Sequence, residues 1–127
     1  MNARPGRDAD VVAVLCTAPR TPDAGKPTAH ELARQLVGER LCACANVIEG
    51  VTSWFWWEGK VDRAEECMLV LKTTRGLLPR LQQRFAELHP YAVPEFLAFD
   101  VDCGLPAYLG WVAAAVQAPV EPPGGVE

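Results

Sequence analysis

Hydrophobic positions in this chain switch between two periods, and most runs end on a turn signal. Val11, Val12, Ala13, Val14, Leu15 and Cys16 form an unbroken apolar run, β-branched at three positions, which predicts a strand buried on both faces. Thr17 to Pro27, with three prolines and a glycine, predicts a loop. Thr28-Ala29-His30-Glu31 then has the form of a capping box. A hydroxyl serves an orphan N–H, and a glutamate three residues on reaches back to the cap. Ala29, Leu32, Ala33, Leu36 and Val37 follow on one helical stripe. From Leu41 to Trp57 the chain is apolar, β-branched and aromatic. Glu58-Gly59 separates it from a second such run, Val61 to Thr73, which predicts a hairpin. Helical period returns over Gly76 to Leu88 with Leu77, Leu81, Phe85 and Leu88, and His89-Pro90 ends it. Phe96 to Val101 predicts another strand, and Leu105, Tyr108, Leu109, Val112 and Val116 a last helix.

The order β-α-β-β-α-β plus a terminal helix predicts an α+β domain over residues 11–117. Its architecture would be the ferredoxin-like split βαβ sheet with helices on one face. Residues 1–10 are polar and residues 118–127 are half Pro and Gly, so both read as disordered tails.

The hairpin is too long for this domain. Arms of fourteen residues, Cys44 to Trp57 and Lys60 to Thr73, would extend ~45 Å, against ~17–20 Å for an ordinary strand. The distal half must project beyond the helices, and it ends in Trp54-Phe55-Trp56-Trp57, with aromatics on both faces. Three fates are open: a bulge that folds the tip back, stacking on a ligand, or burial against further copies of the chain in a closed homo-oligomer.

Composition narrows the function classes. Twelve basic and sixteen acidic residues give a net charge of −4, and no Lys/Arg cluster favours nucleic acid or an anionic membrane. With no apolar run of membrane-spanning length and no leader-like start, the expected location is the cytoplasm. Five cysteines, an odd number within mostly apolar strings, suit a reducing compartment better than a disulfide framework.

Phosphate-loop, nucleophile-elbow and HExxH motifs are all missing, and no organic cofactor is expected. Cys42 and Cys44, two apart on a strand, would lie ~6.6 Å apart, too far to share one ion easily. His30 reads as a solvated helix-face residue. His89 has two readings. It either interacts with the last carbonyls of its helix, or it meets Cys16 as an N,S pair suited to copper or zinc. Cys44, Asn46, Tyr91 and Glu95 are candidate lining groups of a cleft between subunits. A hydrolase using Cys16 or Cys44 would need a thiol of depressed pKa.

Several separate stretches together resemble the CutA divalent-cation tolerance proteins. They are Val14-Leu15-Cys16-Thr17-Ala18-Pro19, Ala43-Cys44-Ala45-Asn46-Val47, Ser53 to Lys60, Leu71-Lys72-Thr73-Thr74, His89 to Glu95 and Tyr108-Leu109-Gly110-Trp111. The resemblance implies a homotrimer of ferredoxin-like subunits, similar to the PII signalling proteins, without catalysis. It also implies copper or another divalent cation at the cysteine of the first stretch and at two adjacent histidines before Pro-Tyr. Here those positions are Cys16, Leu88 and His89, so the second histidine is matched and the first is leucine. A PII-like sensor that binds a small molecule between subunits is the alternative reading.

Overall fold

The computed structural model describes residues 7–117. Four strands and three α-helices follow in order: β1 (Val11–Pro19), α1 (Ala29–Gly38), β2 (Cys44–Trp57), β3 (Lys60–Thr74), a 3-10 turn (Arg75–Leu77), α2 (Leu78–Leu88), β4 (Phe96–Asp100) and α3 (Pro106–Gln117). The sheet order is β2-β3-β1-β4, and every neighbouring pair is antiparallel. This is the split βαβ arrangement expected from the element order.

Helices α1 and α2 start for local reasons. Thr28 Oγ1 accepts the Glu31 N–H at 3.3 Å, while Glu31 Oε1 accepts the Thr28 N–H at 2.9 Å, so the capping box is complete. Pro79 stands in the first turn of α2, where its missing N–H costs nothing.

Cross-strand partners share a face, and the register therefore sorts the sheet. Val14, Cys16, Ala18, Cys67, Leu69 and Leu71 point to the face covered by α1 and α2. There they pack with Leu32, Leu36, Leu81 and Phe85 in one buried cluster.

The last helix departs from the expectation of helices on one face. Cys44, Lys72, Ala13 and Phe99 are successive partners across the sheet and share the opposite face. Tyr108 of α3 lies against Cys44. α3 therefore crosses behind the sheet, where Val112 and Val116 are buried outside the α1/α2 cluster. It covers that face only in part, and Ile48, Leu97 and Phe99 remain exposed. Its expected apolar stripe divides accordingly, with Leu105 and Tyr108 exposed.

The N-terminal segment also differs from a free tail from residue 7 onward. The Arg75 and Gly76 N–H groups donate to the Asp10 and Asp8 carbonyls at 2.8 and 2.9 Å, tying residues 8–10 to the start of the 3-10 turn. The expected tail at residues 118–127 lies outside the described residues, as do residues 1–6.

Candidate functional site

The hairpin carries the first candidate surface. Pairing of β1 with β3 ends at Pro19 and Glu66. Beyond that level β2 and β3 continue alone, from Thr52 opposite Glu65 to Trp57 opposite Lys60. The six residues Thr52 to Trp57 span ~20 Å with no third strand beside them. A bulge precedes this ribbon: Ile48 pairs with Met68 and Val51 with Glu66, so Glu49 and Gly50 face the single Cys67. Gly50 takes φ +79°, a left-handed conformation that a side chain would strain.

The bulge does not return the tip to its own core. Trp54 and Trp56 are 69% and 74% exposed, and Phe55 and Trp57 are 39% and 44% exposed. Trp54 and Trp56 share one face of the ribbon, Phe55 and Trp57 the other. The Arg63 guanidinium, directly across from Trp54, stands 5.6 Å from its ring.

The second candidate lies at the end of β1. β4 begins at Phe96, opposite Cys16, so β1 has no partner on that side beyond Cys16. His89, following α2, fills the gap. Its Nε2 lies 2.7 Å from the Thr17 carbonyl oxygen, and its Nδ1 accepts the Tyr91 N–H at 3.2 Å. The ring is buried, with Phe85 at 5.0 Å and Tyr91 edge-on at 4.7 Å between centroids. Burial holds the imidazole below its ordinary pKa, against the opposing pull of the Thr17 carbonyl and Glu66. Tyr91 in turn donates its hydroxyl to Glu66 Oε2 at 2.9 Å, and Glu66 is only 4% exposed. Burial and this carboxylate together push the Tyr91 pKa upward.

The expected N,S pair meets an obstacle here. Cys16 sits in the interior of β1 rather than at its end, in the core between sheet and helices. Its thiol faces the Leu69 carbonyl at 3.9 Å, and burial pushes its pKa up to about 12. The His89 ring bonds Thr17 and Tyr91, and only its backbone N–H reaches a last carbonyl of α2, that of Phe85. Both of its ring nitrogens already have partners, and a metal ligand needs a free ring lone pair and a thiolate. Leu88, at the position of the other expected ligand, packs against the core cluster. Among the described residues no three His, Cys, Asp or Glu groups are placed to hold an ion. The donors expected from the sequence therefore do not fit a metal centre as they are arranged.

The candidate cleft residues divide. Cys44 and Asn46 lie on the outer strand β2, where Asn46 accepts from Lys72 Nζ and Cys44 neighbours Tyr108. Tyr91 and the exposed Glu95 lie in the loop before β4, at the other edge of the sheet. One chain does not bring the two pairs together. Glu66 was not anticipated from the sequence, and its one signal was a carboxylate at a position whose neighbours Cys67 to Leu71 are apolar. His30 Nε2 bonds Glu49 at 2.6 Å on the surface and joins the first turn of α1 to the bulge.

An antiparallel split βαβ sheet with an overlong aromatic hairpin defines a ferredoxin-like α+β protein of a particular subclass. The family model described as CutA1 divalent ion tolerance protein matches residues 12–115. A divalent-cation tolerance protein CutA of Thermus thermophilus is 40% identical over 99 residues, 78% of this chain and 91% of that protein. One of Escherichia coli is 40% identical over 106 residues, 84% of this chain and 90% of that protein. Among solved structures, CutA of Xylella fastidiosa superposes with a TM-score of 0.77 at 36% identity, covering 84% of this chain and 98% of that one. CutA1 of Oryza sativa gives 0.75 at 34% identity, covering 87% and 96%. A protein of Archaeoglobus fulgidus described as the periplasmic divalent cation tolerance protein CutA gives 0.74 at 28% identity, covering 84% and 98%. The chain belongs to the CutA1 divalent ion tolerance family.

Proposed function

We propose that this chain acts in divalent-cation tolerance in the cytoplasm as a homotrimer without catalytic chemistry of its own. The observation that carries the trimer is the bare aromatic ribbon. Four aromatics at a hairpin tip, together with exposed Ile48, Leu97 and Phe99 on the open sheet face, leave more apolar surface than a lone soluble chain ordinarily shows. A ring in which each tip lies on the next copy would cover all of it and close without leftover edges. The family supports the tolerance role, as both curated relatives described above are named for it. The non-catalytic reading is supported by Cys16, one of the two candidate nucleophiles: burial pushes its thiol up to about 12, opposite to what a nucleophile needs.

A bacterial strain lacking its own gene of this kind tests the proposal. The wild-type chain should restore growth in graded Cu²⁺ or Zn²⁺, and a Trp54→Ser/Trp56→Ser form unable to assemble should not. Equal growth with both forms would separate tolerance from assembly, and no rescue by either would remove the role.

A second reading, a PII-like sensor, is favoured by the division of the cleft residues. Cys44 and Asn46 at one edge and Tyr91 and Glu95 at the other meet only if neighbouring copies bring unlike edges together. A thermal-shift screen of nucleotides and small metabolites on the assembled protein should then find a stabilising ligand. Silence across the panel would count against it.

A further inference from the structure

We infer that His89 is a latch that closes the open edge of β1, and that Cys16 and His89 do not form a copper or zinc site in this chain. The inference does not depend on the trimer, since every residue in it belongs to one protomer.

Strand β1 runs three residues past the last β4 pairing, from Thr17 to Pro19. A carbonyl left on that side would be buried without a partner, an expensive state in a core. His89 removes the deficit by presenting Nε2–H to the Thr17 oxygen. Donation from Nε2 leaves Nδ1 as the acceptor of a neutral ring, and Nδ1 is where the Tyr91 N–H points. The two bonds specify one tautomer between them. The same pair of bonds sets the path of the next residues, because the Tyr91 backbone is held to the ring while its hydroxyl reaches the buried Glu66. The imidazole thus bridges β1 to the loop before β4, and through Tyr91 fixes a carboxylate on β3. A metal at either nitrogen would have to break one of these bonds and release Thr17 or Tyr91. The thiol proposed as its partner is buried in the α1/α2 core cluster and turned toward the Leu69 carbonyl. Leucine at position 88 supplies apolar packing where a second imidazole would have brought another donor.

The experiment uses uniformly ¹⁵N-labelled wild-type protein at neutral pH, with long-range ¹H–¹⁵N spectra of the two histidines. His89 should show the neutral Nε2–H tautomer. Its signals should stay in place on adding Zn²⁺, or Cu(I) without oxygen, while those of exposed His30 are free to move. In parallel, Zn²⁺ and Cu(I) titrations should give the same affinity, within about threefold, for wild type, Cys16→Ala and His89→Gln. Glutamine keeps a donor for Thr17, and amide exchange at Tyr91 should quicken at least about tenfold in His89→Ala. A Nδ1–H tautomer, metal-induced movement of the His89 signals, or an affinity loss of about tenfold or more in Cys16→Ala or His89→Gln would overturn the inference. The wild-type spectra decide the matter even if a variant fails to fold.

Discussion

Removing Trp54 or Trp56 should dissociate the assembly while leaving the protomer folded. At 69% and 74% exposure, and taking ~250 Å² as the area a large aromatic buries, each indole offers about 170–185 Å² to a partner. At ~25 cal/mol per Å² this amounts to about 4 kcal/mol for each side chain if burial is complete. The cost of ordering the ribbon and of incomplete coverage lowers the expected loss to about 2–4 kcal/mol per contact, or ~30-fold to ~1,000-fold in a dissociation constant. A protomer leaving a closed three-membered ring breaks two such contacts, so even the lower figure should show. Sedimentation velocity across about 0.1–100 μM should find wild type assembled at about 1 μM and Trp54→Ala and Trp56→Ala largely monomeric there. Far-ultraviolet circular dichroism should be unchanged, because neither indole belongs to the buried cluster. If both variants keep the wild-type mass at the lowest concentration, the tip aromatics are not anchors and the argument from their exposure is wrong.

Other outcomes follow from single residues. The two-residue turn Glu58-Gly59 has φ +51° and +80°, so Glu58→Asn should stabilise the hairpin by about 0.5–1 kcal/mol in urea denaturation, and Gly59→Ala should destabilise it by about 1 kcal/mol. His89 binds a proton less readily in the fold than in the unfolded chain. Its contribution to stability is therefore complete above the ordinary imidazole range and is lost as pH falls from about 6.5 through the lower folded value. Urea-unfolding free energy should accordingly fall less between pH 7.5 and about pH 5 in His89→Gln than in wild type, and parallel slopes would contradict the cause assigned. Iodoacetamide on the native protein should label exposed Cys103 first and spare Cys16, Cys42 and Cys67 until unfolding, as mass spectrometry of peptides would show.

Local signals carried most of the fold. The Thr28/Glu31 box, the stripe Leu32-Leu36 and the Glu58-Gly59 turn each describe a structure closed within a few residues, and periodicity reads such structures directly. Two features depend on distant partners and were not legible. The side of the sheet on which α3 lies is decided by where its connection can run, and its sequence is apolar nearly all round, with exposed Trp111 as well as buried Val112. The bulge at Glu49-Gly50 left one trace, a glycine inside a strand pattern, which does not give its register. At the site, proximity of Cys16 and His89 was a fair expectation, since His89 does reach the adjacent Thr17. What pattern does not reveal is which side of a strand a distant ring approaches. His89 came to the backbone edge, and the Cys16 thiol turned into the core.

Native mass spectrometry of the purified protein at low micromolar concentration tests the assembly most directly. Three copies of the 13.8 kDa chain in one particle are predicted, with the indole fluorescence of a buried environment. A single 13.8 kDa species at that concentration, with its tryptophans still solvent-exposed, would contradict it.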